Sequence, residues 1–234
     1  DKGHFSLLWL LPEEQPVVDG WELWLITKPA NDVGGDIVDF FELDNETRYL
    51  VLSDISGKGL GAALLAAKLQ ATVRAIVPRH SSLVDLAERV NAIFIRDTMP
   101  KTFASMIYLE FRKDFGKIDF INAGHMPPYF IKNGEISRFE KGGPALGILK
   151  NAPYTDTVVE MESGDTLFLY SDGVTEAMND EGHFFGDARL ERILKHASDK
   201  APKYLGNYIL RALDDFVLDA PAHDDVSMVI LKRK

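Results

Sequence analysis

The sequence predicts an α+β fold, with helices packed on largely antiparallel sheets. Three observations lead there. Strand-like apolar runs follow one another directly, as in hairpins, rather than alternating with helices as in βαβ units. The helical patterns fall into two blocks, one after the third strand and one before the last. Asn133-Gly134 between two apolar runs is a strong hairpin signal.

Trp21 to Thr27 reads as the first strand, with Trp21, Leu23, Trp24, Leu25 and Ile26 apolar. The tryptophans Trp9, Trp21 and Trp24 are expected in packing roles. Asp36 to Leu43 and Arg48 to Asp54 form a hairpin turned at Asp44-Asn45-Glu46. Gly59 to Val77 carries Leu60, Leu64, Leu65, Leu69, Val73 and Ile76 at helical spacing, and Pro78 stops it. Ser81 or Ser82 caps a second helix to about Arg96, with Leu83, Leu86, Val90 and Phe94 on one face. Strands follow at Phe103–Phe111, Lys117–Asn122, Pro128–Lys132, Ile136–Phe139, Thr155–Met161 and Thr166–Tyr170. Helices at Ala188–His196 and Pro202–Leu218 precede a last strand, Val226–Leu231. No linker, repeat or low-complexity tract divides the chain, so 1–234 is expected to be one domain.

With 46% hydrophobic and 26% charged residues in 234, the composition is globular. A net charge of −10 argues against broad nucleic-acid binding, which needs positive potential. The terminal Lys232-Arg233-Lys234 reads as a solvated end. Absence of cysteine excludes disulfides and thiol catalysis and fits a reducing compartment, so a cytoplasmic location is expected. No run approaches the ~18 to 20 apolar residues of a membrane span. Phe5 to Leu11 is apolar but lacks a basic leader and a cleavage site, and reads as a helix begun upstream.

The chemistry lies in four aspartates in four separate turn-like contexts: Asp36 after Val33-Gly34-Gly35, Asp54 in Ser53-Asp54-Ile55-Ser56-Gly57, Asp172 in Ser171-Asp172-Gly173, and Asp224 in His223-Asp224-Asp225. Buried carboxylates are costly unless paired, and several together repel. Hard divalent cations with oxygen ligands resolve that conflict. Plainer readings exist for each string alone: a solvated turn at Gly34–Asp39, a helix cap at Asp172 or Thr175, an acidic turn at Asp224-Asp225. Asp165 reads as structural, as does a lone loop histidine such as His125.

Three other chemistries use a glycine turn like the one after Asp54. Gly57, Gly59 and Ala62 fit a loose dinucleotide fingerprint, but no acid stands ~20 residues on and Asp54 would repel a pyrophosphate. A Walker A loop would need Gly at Leu52 and Ser or Thr at Gly59. A calcium loop from Asp54 would need Glu at Leu65. The remaining histidines have no zinc-like spacing, which favours Mg²⁺ or Mn²⁺.

These strings, in order from about residue 5 to 232, resemble the stage II sporulation protein E (SpoIIE)-type branch of the metal-dependent protein serine/threonine phosphatases, the type 2C-like superfamily. They include Leu10-Leu11-Pro12, Gly34-Gly35-Asp36, Ser53 to Gly59, Ala123-Gly124-His125-Met126-Pro127-Pro128, Gly164-Asp165, Tyr170 to Ala177 and Asp224 to Ser227. The resemblance implies an αββα sandwich: two mainly antiparallel sheets flanked by helices. It implies two Mn²⁺ or Mg²⁺ ions, with Asp54 bridging, Asp36 and the Ile55 carbonyl on one ion, and Asp172 and Asp224 on the other. Asp39 and Asp225 are auxiliary candidates.

The implied reaction is hydrolysis of phosphoserine or phosphothreonine by metal-activated water, without a phosphoenzyme. The implied substrate is an anti-anti-sigma-factor-like (STAS) protein in bacterial partner switching. An upstream sensor or receiver domain in cis is also implied, with the chain as the C-terminal catalytic part of a longer protein. The helices at 59–77 and 82–96 would be regulatory and able to form a homodimer. Ile55-Ser56 stands where eukaryotic relatives offer a histidine, so no general acid is evident. Lys58, often histidine in the family, and Asn31 are the substrate-binding candidates. The competing classes are a phosphoprotein-binding scaffold without activity and, more remotely, a dinucleotide-binding enzyme.

Overall fold

The computed structural model describes residues 15–44, 47–112, 116–218 and 220–234. Ten strands and five α-helices are found among them: β1 (Trp21–Lys28), β2 (Ile37–Glu42), β3 (Thr47–Ile55), α1 (Leu60–Ile76), α2 (Leu83–Asp97), β4 (Ala104–Arg112), β5 (Lys117–Ala123), β6 (Tyr129–Lys132), β7 (Glu135–Arg138), β8 (Asp156–Glu160), β9 (Thr166–Tyr170), α3 (Asp172–Thr175), α4 (Asp187–His196), α5 (Pro202–Val217) and β10 (Val226–Arg233).

One sheet runs β1-β10-β9-β6-β7 and the other β2-β3-β4-β5-β8. Every pairing between strands is antiparallel. Period-two alternation assigns each side chain to a layer. In β3, Leu50 and Leu52 join Leu167, Leu169, Val229 and Leu231 in the core between the sheets. Tyr49 and Val51 face the other way, under Leu69 and Val73 of α1 and Leu86 and Val90 of α2. On the far side, Phe168, Tyr170, Met228 and Ile230 pack against Leu190 and Leu194 of α4 and Leu205 and Ile209 of α5. The result is a four-layer αββα sandwich. Central strands are buried on both faces, which is why β3, β9 and β10 read as near-continuous apolar runs.

Local chemistry set the element ends. Ser82 Oγ accepts from the Asp85 N–H at 3.1 Å and starts α2. Asn133 and Gly134 take φ of 52° and 79°, the left-handed pair a two-residue hairpin turn needs between β6 and β7. The Asp165 carboxylate accepts from the Glu162 N–H at 2.9 Å, a structural turn as expected. Neither Thr175 nor Asp172 caps α3; its N-cap is Ser171, without a side-chain bond. Phe5 to Pro12, Trp9, Asn45 and Glu46 lie outside the described residues.

Hydropathy needs one correction. Leu60–Arg79 has the length and mean hydropathy, 1.4, of a membrane span. Its Ala62, Ala63, Ala66, Leu69 and Val73 are buried against the sheet, and Arg74 is ion-paired with β2, so here it serves as an outer layer of the sandwich.

Candidate metal centre

Antiparallel pairing brings the four aspartates to one rim. Asp36 precedes β2 and Asp54 ends β3, and Ile37 pairs with Ser53. Asp172 follows β9 and Asp224 precedes β10, and Tyr170 pairs with Met228. Each sheet thus presents one strand start beside one strand end, and stacking the sheets faces the two pairs. The charges feel one another. Asp54 is pushed up to about 7, first by burial and then by Asp172, Asp224 and Asp225. Burial also raises Asp36 well above the usual carboxylate range, with Asp54 and Asp225 adding to it and the hydroxyls of Ser227 and Ser171 opposing it. Asp172 is raised by burial, Asp224 and Glu176.

Glycines permit the close approach. A Cβ on Gly35 would stand 3.2 Å from the Ile55 carbonyl oxygen, so the Asp36 loop lies directly against that oxygen. A Cβ on Gly173 would stand 2.1 Å from the Asp225 carbonyl, so the turn after Asp172 packs on the backbone beside Asp224.

The auxiliary candidates separate. Asp225 Oδ1 accepts from the Ala30 N–H at 2.8 Å, and its Oδ2 from Gly35 at 2.7 Å and Asp36 at 3.3 Å. It therefore clamps the 30–36 loop that carries Asp36. Asp39 is elsewhere engaged: Arg74 Nε donates to its Oδ2 at 2.8 Å, and Nη2 to its Oδ1. As the third residue of β2 it faces α1, and its role is to tie that helix to the sheet rather than to assist the cluster.

Lys58 lies at the rim, with Nζ 2.7 Å from the His223 carbonyl and 3.7 Å from Asp224 Oδ2. Its charge opposes the rise in both Asp54 and Asp172. Asn31 is exposed on the clamped loop. Sequence reasoning gave no role to Ser171 or Ser227. Ser171 Oγ donates to the Asp225 carbonyl at 3.1 Å and accepts from the Ser227 N–H at 3.0 Å, locking the two strand ends together. The available signal was position: Ser171 stands directly before Asp172, and Ser227 two residues after Asp225 in an apolar strand run.

The donor set fits hard divalent cations. It is all oxygen and excess negative charge, and the buried Asp36 Oδ2 has no hydrogen-bond partner. Among the described residues no three His, Cys, Asp or Glu side chains stand in a ready-made cage. The carboxylates are gathered but spread, as mutual repulsion requires.

Known proteins share this chain's sequence and fold. The phosphoserine phosphatase RsbU of Bacillus subtilis (strain 168) is 26% identical over 230 residues, covering 96% of this chain and 67% of RsbU. Protein IcfG of Synechocystis sp. is also 26% identical, over 261 residues and the whole of this chain, which spans 41% of IcfG. The SiaA-PP2C domain of Pseudomonas aeruginosa superposes with a TM-score of 0.81 at 18% identity, covering 91% of this chain and 86% of that domain. The family model for stage II sporulation protein E (SpoIIE) matches residues 44–234. With that match over most of its length, on an αββα frame that gathers four aspartates at one rim, the chain belongs to the SpoIIE family.

Proposed function

We propose that the chain is a metal-dependent protein phosphatase acting on phosphoserine or phosphothreonine. The observation that carries the reading is the convergence of Asp36, Asp54, Asp172 and Asp224 from two sheets, with Asp54 pushed up to about 7 by burial and then by its acidic neighbours. That arrangement opposes folding unless cations occupy it, and four such carboxylates have no use in a passive scaffold. Two Mn²⁺ or Mg²⁺ ions, held by the four aspartates and the Ile55 carbonyl, would supply an activated water and charge to offset the phosphoryl oxygens.

The chain's residues do the rest. Asp54 couples electrostatically to Asp36 and to Asp172 and Asp224. Asp225 keeps the Asp36 loop in place through three backbone N–H groups. Lys58 brings an exposed positive charge to the rim, where it can meet a phosphate anion. No cysteine or covalent intermediate is needed.

The substrate we propose is a phosphorylated STAS-type anti-anti-sigma factor in partner switching, in the cytoplasm, supported by likeness to RsbU. Because the chain spans 41% of IcfG, we also propose a longer protein with a sensor or receiver domain in cis. The exposed Leu60 and Leu64 of α1 support a homodimer through that helix.

The test is phosphate release from p-nitrophenyl phosphate and from a phosphoserine STAS protein, with Mn²⁺, Mg²⁺ or EDTA, in wild type and Asp54→Ala. Mn²⁺-dependent release that vanishes in the variant supports the reading. A folded wild type that binds the phosphoprotein and releases nothing at any metal concentration makes it a scaffold.

A further inference from the structure

Beneath the carboxylates lies a buried polar side chain that the reaction above does not use. His125 sits in the segment that crosses from β5 in one sheet to β6 in the other. It is 2% exposed. Its backbone is fixed from both sides: its N–H donates to Asn122 Oδ1 at 2.8 Å, and Asn122 Nδ2 donates back to its carbonyl at 3.3 Å. Gly124 before it takes φ 73° and packs so tightly that a Cβ would stand 2.4 Å from the Ala145 nitrogen. The backbone that carries the ring is therefore held in place.

The ring ties this segment to the strand that pairs with the one carrying Asp54. His125 Nδ1 is 2.6 Å from Ser105 Oγ. Ser105 of β4 pairs directly with Asp54 of β3. Side chains directly opposite in an antiparallel pair share a face, with Cβ atoms about 4.5–5.5 Å apart. Ser53 Oγ donates to the Ser105 carbonyl at 2.6 Å, fixing the register beside Asp54. The other ring nitrogen, Nε2, is buried without a hydrogen-bond partner. Burial pushes the imidazole down to about 3, so the ring stays neutral and adds no positive charge beneath cation ligands.

We propose that His125 is a positioning residue that holds Asp54 in place through Ser105, from the segment that crosses between the two sheets. The proposal rests on the metal reading above, and it assigns His125 no contact with substrate. A side chain that only fills space would leave metal affinity alone when replaced by one of similar volume. A support beneath one ligand would not, since groups that orient metal ligands typically change affinity by about 10- to 100-fold when removed.

The test is Mn²⁺ titration followed by electron paramagnetic resonance, on wild type, Ser105→Ala, His125→Asn and His125→Leu, with melting temperatures in EDTA. Ser105→Ala is the mild variant that keeps folding out of the answer. The expected result is weaker Mn²⁺ binding, by about tenfold or more, in Ser105→Ala and His125→Leu. His125→Asn, which can still bond Ser105, falls between them and wild type. Wild-type affinity in Ser105→Ala and in whichever His125 variants fold, whatever their melting temperatures, would overturn the proposal. A wild type that binds no Mn²⁺ would instead remove the metal reading, and this proposal with it.

Discussion

Asp54 shows how one residue trades stability for function. Its folded-state pKa of about 7 lies above that of a free aspartate, so the folded metal-free protein holds a proton that the unfolded chain releases. Stability from this group is therefore full at low pH and is lost as pH rises towards 7. The metal-free protein is expected to melt higher at pH 6 than at pH 8, and Asp54→Asn should flatten that slope while raising the melting temperature in EDTA. The same variant should lose metal-dependent phosphate release altogether. Calorimetry in EDTA at the two pH values checks the first part; a variant less stable than wild type would contradict it. Gly34 gives a second test at this scale. An added Cβ would stand 2.3 Å from Asp225 Oδ2, so Gly34→Ala must break the clamp on the Asp36 loop. Mn²⁺ affinity by titration calorimetry should fall, with a smaller change in folding stability.

At the scale of elements, the bond between α1 and β2 matters most. Asp39 is almost fully buried and Arg74 is its partner. Removing the arginine strands a buried charge, a loss of about 1–3 kcal/mol, kept at the lower end because Arg74 is half-exposed and water can reach the acid. Arg74→Met should therefore lower stability in urea melts, and adding Asp39→Asn should restore part of it. A double variant no better than the single would show that the pair contributes little. This contact was legible only in part. Asp39 lies at i+3 from Asp36, near enough in sequence to suggest a shared site. Strand geometry decided otherwise, because Asp36 precedes the pleat while Asp39 sits in it, facing the helix layer with Ile37 and Phe41.

For the whole molecule, the four aspartates come from four separate segments, so bound metal should stabilise the sandwich globally. At a concentration of 100 times its Kd, a ligand bound only by the folded state adds about 2.7 kcal/mol. For a chain of this size that is a rise of roughly 5–10 °C. Differential scanning fluorimetry should show it with Mn²⁺ in wild type and not in Asp172→Asn; an equal rise in both would place the bound ion elsewhere.

The sequence by itself determined the elements and marked the candidate donor set. Apolar period set the strands and helices, Asn133-Gly134 and Ser82 set their ends, and the family's strings in order marked Asp36, Asp54, Asp172 and Asp224. Tertiary structure alone decided which acids face each other. Asp225 turned inward to hold backbone N–H groups and Asp39 turned away to Arg74, although both sit beside marked residues. It also gave Ser171, Ser227 and His125 their partners across strands and sheets. The physical reason is range. Propensity, periodicity and capping act within a few residues, whereas carboxylate repulsion and buried hydrogen bonds act between residues brought together only when two sheets stack.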